Sequence, residues 1–594
     1  MQMLDIAIIM GYLVLVIVIG FWISRRASQN LDTYFLGGKS VHWSLLGISN
    51  ATSMNDLSGT MWLVFVVFVY GMKGLWMPWV WVTFNQVFYM VYLSIWIRRS
   101  NVLTGAEWIS TRFGNGIGGN LCHISVVFFA FISVIGFLSY SFQGVGKFAA
   151  VFLPWDWSPH MYAIILMSIT TLYVILGGMY SVVLTDIVQF IIMTITSVVI
   201  GAIAIMRISP EMLRAAVPEG WLNLWFGWRL NLDWSAVIPS VNSQIARDGY
   251  ELFTIFIGMV LFKGILVSMA GPGPNYDMQR VLAARDAKSA ALMSGVVNFA
   301  ILPRWIMTPA IAIIALVFFR PQLLAMGSNI DFEQILPYVI AEFLPVGLIG
   351  LFIAGLLAAF MSTFDSTVNA GAAYLVNDIY KKYFRPQAPE KRYIAISYGV
   401  SIALVALGIG FGLMSSSIHR ITEWLVFGLY GGYTAPNVLK WHWWRLNAFG
   451  YFGGMIGGVV AALFLPLLFP SLSAVNSFPL ILAIGTLASI SISLATPPDP
   501  EEVLISFYKS VRPWGFWQPI HVKAVAQDPN FVNDSCFRRD MVNVGVGIIW
   551  QLALRLIPVY LVLRLFGNLA AWLVVALLTS WFLKTNWYDR LQKD

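Results

Sequence analysis

Charge is what this sequence most lacks. Asp, Glu, Lys and Arg make up 11% of its 594 residues, against about 25% in an average soluble domain, which excludes a water-soluble globular protein. Cysteine is nearly absent: Cys122 and Cys536 stand alone, too few and too far apart for a disulfide framework. The six histidines (His42, His123, His160, His419, His442 and His521) fall into no HExxH or other metal-ligand spacing, and no GxSxG turn occurs. A membrane-embedded enzyme therefore has no visible catalytic constellation. Basic residues outnumber acidic ones 36 to 28, but they are scattered over short loops and not gathered on one face, so a nucleic-acid partner is not indicated.

What is present is apolar: 59% of residues are hydrophobic. A hydrocarbon core of about 30 Å needs roughly 20 apolar residues of helix. Windows of that size predict spans at 3–24, 43–70, 73–97, 121–152, 160–182, 184–207, 250–271, 289–319, 337–366, 394–415, 421–440, 449–470, 475–496, 541–562 and 567–586. The expected class is thus an all-α polytopic membrane protein with about 15 transmembrane helices. In the first segment Arg25 and Arg26 follow the apolar run instead of preceding it, so it reads as a retained helix with its N-terminus outside. Alternate threading then puts most basic residues in the cytoplasm, among them Arg98, Arg99, Arg280, Arg285, Lys381, Lys382, Lys391, Arg392, Arg538 and Arg539, as the positive-inside rule requires. The C-terminus is then cytoplasmic, residues 208–248 lie outside and 497–540 inside.

Two spans carry polar clusters that a lipid-facing helix would not. In the second, GISNATSMNDLSGT (47–60) brings Asn50, Thr52, Ser53, Asn55, Asp56 and Ser58 to bilayer depth. Such interruptions are tolerated where they line a cavity or bind ions; the alternative is interhelical glue, which does not require the charge of Asp56. In the ninth, LLAAFMSTFDSTVNAG (356–371) places the Ser362 and Thr363 hydroxyls side by side, followed by Asp365 and Ser366. Hard cations prefer oxygen: unwound carbonyls near Met54 and Leu57, with Ser362 and Thr363, would make a charge-poor cage for a monovalent ion. Hydroxyls bonding back to the preceding turn are the plainer account.

Six motifs in order, with helices between them, resemble the sodium:solute symporter family, which includes sodium/glucose and sodium/proline cotransporters. They are YFLGGKS (34–40), DLSG (56–59), LTGAEWISTRFG (103–114), YVILGGMYSVVLTDIVQ (173–189), MQRVLAARD (278–286) and AAFMSTFDS (358–366) running on to NDIYKKY (377–383). The resemblance implies a leucine-transporter-like core of two inverted five-helix repeats with discontinuous helices. The divisions it suggests are an extra N-terminal helix and cytoplasmic link (1–42), a ten-helix transport core (43–447) and additional C-terminal helices (448–594). It also implies a sodium site at Met54, Leu57, Ala359, Ser362 and Thr363. The spacing after GGKS leaves Thr52 and Asn55 as alternatives to Met54 and Leu57. A second sodium set would be Asp186, Asp365 and Ser366, with Asp365 alternatively pairing with a basic residue.

Lys263 and Arg304 lie within apolar runs of the seventh and eighth spans, and an unpaired cation there is costly. Arg304 must face Asp56, Asp365 or the solute itself; as a fork it would clamp an anionic group. Asp56, Ser58, Thr60, Trp76, Trp79, Trp81, Asn298, Tyr433, Thr434 and Asn437 are further candidates for solute contact or gating. GPGPNYDMQR (271–280) departs from sugar-transporting members, which usually carry aromatics there. The expected function is a sodium-coupled secondary active symporter in the plasma (inner) membrane, importing a small polar organic solute by alternating access. An organic acid or amino acid is preferred to a sugar; a sodium-dependent sensor or channel on the same scaffold is the alternative. The expected partners are the bilayer, sodium and the solute, with no organic cofactor.

Overall fold

The computed structural model describes residues 2–27, 31–80, 85–100, 102–153, 155–327, 330–414, 417–469, 472, 474–533 and 535–591. Among these, helices dominate and no strand of a sheet forms; one isolated bridge joins Trp443 to Phe516. Eleven helical stretches among the described residues are long and apolar enough to cross a membrane. All-helical architecture follows from the solvent, because in hydrocarbon every backbone polar group must be satisfied within its own segment.

The second span is broken. Helix α2 (Trp43–Met54) ends at Asn55, and α3 (Leu57–Tyr70) begins with Asp56 as its N-cap, the carboxylate accepting from the Gly59 amide at 2.5 Å. An Asp N-cap occupies an orphan N–H of the first turn and complements the positive helix end, so a charge within an apolar run marks a restart. Beyond this come α4 (Ile117–Phe152) and α5 (Pro159–Arg207). The two spans expected at 160–182 and 184–207 are one unbroken helix in α5. Its 49 residues at 1.5 Å per residue give about 74 Å, more than twice a hydrocarbon core of about 30 Å; no proline falls between the halves to stop it.

The seventh span is broken too. Helix α6 (Phe253–Ala270) ends at Gly271, whose φ of 85° is open to glycine and strained for other residues. After the Gly-Pro-Gly-Pro run, α7 (Tyr276–Ala283) starts with Asn275 capping the Asp277 amide at 3.0 Å. The two breaks fall at the second and seventh of the expected spans, the correspondence expected of paired discontinuous helices in a repeated core. The core continues through α8 (Ala287–Ala300), α9 (Leu302–Phe318), α10 (Leu348–Leu375) and α11 (Glu390–Gly412), then α12 (Tyr430–His442). Four further long helices follow: α13 (Ala448–Leu468), α14 (Ala474–Ala495), α15 (Phe537–Val562) and α16 (Phe566–Asn586). Segment 217–239 folds back over the end of α3, with the Trp221 and Trp234 indoles donating to the carbonyls of Phe68 at 3.0 Å and Val69 at 3.2 Å.

Candidate functional site

Helices α2 and α10 meet through oxygens. Thr363 Oγ1 lies 2.7 Å from the Ser53 carbonyl and 3.2 Å from that of Ala359. Ser362, one residue earlier, donates to Asp186 on α5 and lies 3.2 Å from Ser53 Oγ. Carbonyls and hydroxyls, with no nitrogen or sulfur ligand, are the donor set a hard monovalent cation accepts. Of the five expected sodium ligands, Ala359, Ser362 and Thr363 therefore stand together. The carbonyl facing them from α2 is Ser53; that of Met54 accepts from Arg304 Nη1 at 2.7 Å. Leu57 opens α3 with its side chain buried in the core.

The expected second set is partly assembled around a cation of the protein's own. Asp186 accepts from Ser49 at 2.5 Å and from Ser362. Arg280 Nη2 lies 2.7 Å from Ser366, 3.1 Å from Ser49 and Ser53, and 3.5 Å from Asp186. Asp365 is buried, and its charge acts on Tyr12 of α1 (Met3–Ala27). Arg280, expected in the cytoplasm, is instead completely buried. The correction has a physical cause: α7 turns inward after the break, and Asp186 at bilayer depth needs a counter-charge.

Beside these oxygens lies a cavity of about 90 Å³, about the volume of three liquid waters and so of a small organic molecule. Its polar wall includes Asp56, Arg304, Tyr140, Gln86, Asn298 and Thr363; Trp62, Phe137 and Trp305 supply aromatic faces. Arg304 Nη2, Tyr140 Oη and Asp56 Oδ2 converge on the bare face of Gly59, where a Cβ would stand 2.6, 2.7 and 2.8 Å from them. Asp56 is thus the charged partner of Arg304 among the three considered. Asn298 also lines the cavity and accepts from Gln551 at 2.5 Å.

The other candidates lie elsewhere. Ser58 donates to the Tyr140 carbonyl at 3.1 Å, and Thr60 bonds back to the Asp56 carbonyl at 2.7 Å. Trp76 and Trp79 pack edge-on at 4.9 Å, with the Trp76 indole donating to the Leu224 carbonyl at 2.8 Å. Lys263 sits 5.4 Å over the Phe427 ring. Tyr433 donates to the Pro272 carbonyl at 3.1 Å, Thr434 to that of Tyr430 at 2.6 Å, and Asn437 to that of Tyr433 at 2.8 Å. Trp81 lies outside the described residues. Ser53, Tyr140, Gly59 and Arg555 were not anticipated as site residues. Ser53 lay within the polar run, and Arg555 was visible as a cation inside an apolar one.

Comparison with known proteins places this geometry. The sodium:solute symporter family profile matches residues 34–458. A sodium/glucose cotransporter 4 of Danio rerio is 25% identical, the alignment covering 84% of this chain and 80% of that protein. The human sodium/myo-inositol cotransporter is 27% identical over 86% and 75%. The solved structure of a Na+-coupled sialic acid symporter, in a substrate-bound outward-open state, superposes with a TM-score of 0.61 at 16% identity, covering 84% of this chain and 99% of that one. The leucine-transporter-like fold is shared.

Proposed function

The chain belongs to the sodium:solute symporter family, and on that premise we propose that it imports a small hydroxylated organic acid together with sodium. Sodium-coupled symport follows from the family; the solute class rests on one observation, the cavity beside the sodium oxygens, whose lining holds two guanidiniums, Arg304 and Arg555, against one carboxylate, Asp56. The proposed sodium ligands are the Ala359 carbonyl, the Ser362 and Thr363 hydroxyls and carbonyls around the α2–α3 break, drawn from Ser53, Met54 and Leu57. Sodium there ties α2 to α10 beside the cavity wall that Thr363 and Met54 share. Ion and solute then each favour the same closed state and raise each other's affinity equally. Rocking of one helix bundle against the other releases both to the cytoplasm, with the N-terminus outside and the C-terminus inside, as the Lys and Arg distribution suggests.

One coupling ion is proposed, because the position between Asp186 and Ser366 already holds Arg280. With one sodium, import of a monoanion moves no net charge. A neutral solute would move one, gaining about 2.3 kcal/mol per 100 mV, roughly 40-fold accumulation at 1.4 kcal/mol per decade. The neutral-polyol reading is the second one: relatives are named for glucose and myo-inositol, and Gln86, Tyr140 and Asn298 suit hydroxyls. Uptake into proteoliposomes with a sodium gradient decides between them. Sodium-driven uptake of an acid unaffected by an imposed inside-negative potential supports the first reading. Uptake of neutral polyols alone, accelerated by that potential, overturns it, and no sodium-driven uptake of any solute would favour the sensor.

A further inference from the structure

We propose that α15, a helix outside the ten-helix core, is part of the solute site: Arg555 presents its guanidinium to the anionic group of the transported solute. The inference rests on the symport reading and extends it to a residue and a recognition mode.

Arg555 lines the same cavity as Asp56, Arg304 and Thr363, and it is 7% exposed. Its Nε and Nη1 atoms are buried without a hydrogen-bond partner among the described residues. The contact it makes is with the face of Trp305, 5.5 Å from the ring centroid, and Trp305 also lines the cavity. Its charged neighbour is another cation, Arg304. A buried guanidinium with unspent donors is expensive at this depth, and a purely structural arginine would have been given a carboxylate.

The charge count has the same sense. The cavity lining holds two guanidiniums, Arg304 and Arg555, and one carboxylate, Asp56. Asp56 is committed on both sides, to the Gly59 amide and to Arg304. Arg304 spends Nη1 on the Met54 carbonyl and leaves Nε without a partner among the described residues. One positive charge is left over, and its free N–H groups belong to a fork that matches a carboxylate in bidentate fashion. A monoanion neutralises the pocket; a neutral sugar leaves Arg555 buried and unpaired. Gln86 Oε1 also has no partner among the described residues and suits a solute hydroxyl.

The placement of Arg555 is built in. One turn earlier on α15, Gln551 donates to Asn298 of α8 at 2.5 Å, and Trp550 packs edge-on against Phe299 at 5.2 Å. The amide pair docks α15 on the core and sets the Arg555 register.

The test is binding to the purified full-length protein of matched acid and neutral pairs: D-glucuronate with D-glucose, D-glycerate with glycerol, and L-lactate with propane-1,2-diol, each in sodium and in potassium. At least one acid should bind tenfold or more tighter than its neutral partner in sodium. Arg555→Gln should cut that ratio at least tenfold while melting in sodium alone shifts as in the wild type, which shows an intact sodium site. Arg555→Lys, which keeps the charge but not the fork, should recover part of the ratio and carries the test if the glutamine variant does not fold. An unchanged ratio in a folded Arg555 variant overturns the proposal, as does a wild type that binds no acid better than its neutral partner. Sodium-dependent binding of neutral solutes alone would sink this inference and leave symport standing; binding indifferent to sodium throughout would sink symport.

Discussion

Two arginines lie buried on either side of the break between α2 and α3, and the protein treats them oppositely. Arg280 is surrounded: its Nη2 reaches Ser49, Ser53, Ser366 and Asp186, and its Nε lies 3.3 Å from Ser49. Arg304, 6% exposed, bonds to one carbonyl and faces one carboxylate across open space. The first is an internal counter-ion that holds α2, α5, α7 and α10 in register. The second belongs to the wall of the cavity proposed to take the solute. At similar burial, what separates a structural arginine from a recognising one is how many of its donors the fold leaves over.

The sharpest way to break the comparison is to remove one partner from each cluster. Asp186→Ala strands Arg280 in a dry core, and breaking a buried pair typically costs about 3–5 kcal/mol. A large drop in melting temperature is expected, whereas Arg304→Gln, whose partner Asp56 borders the cavity, should show a smaller drop and lose solute binding. Equal destabilisation of the two variants would erase the distinction. Gly59→Ala comes next: its methyl group would intrude on Arg304, Tyr140 and Asp56. Solute affinity should fall at least a hundredfold, with the sodium-induced shift in melting retained; unimpaired uptake would move the solute elsewhere. Thr363→Ala removes one oxygen and its bond to Ser53, worth about 1 kcal/mol, so half-saturating sodium should rise roughly fivefold. Sodium dependence identical to the wild type would take Thr363 out of the ion site. The smallest effect should come from Thr60→Ala, which deletes a back-bond to the Asp56 carbonyl away from the cavity and should leave solute affinity within about twofold.

Much of the site was legible because polar residues in an apolar run have few uses. The break at Asn55–Asp56 follows from an N-capping residue inside a span, and the adjoining hydroxyls of Ser362 and Thr363 announced an oxygen cluster. Arg304 stood out for the same reason, and its partner was one of three considered. Arg280 misled, because MQRVLAARD looks like loop charge when nothing local shows that α7 turns inward. Trp76, expected as a solute or gating contact, packs on residues 224–226, and Trp79 packs on Trp76. Aromatic side chains serve equally well as packing against a loop, and their sequence does not distinguish the two uses.

By itself the sequence determined the solvent, the rough limits of most apolar segments, where the second of them must break, and the kind of ion their oxygens suit. Each is local: hydropathy, capping and ligand hardness are set by residues within a turn or two of one another. Only the tertiary structure decided which carbonyl faces Thr363, which arginine neutralises Asp186, and that Arg555 enters a cavity built by helices far earlier in the chain, from Met54 to Thr363. These are pairings between distant segments, and a buried charge is satisfied by whatever packing brings to it, which no stretch of sequence specifies alone.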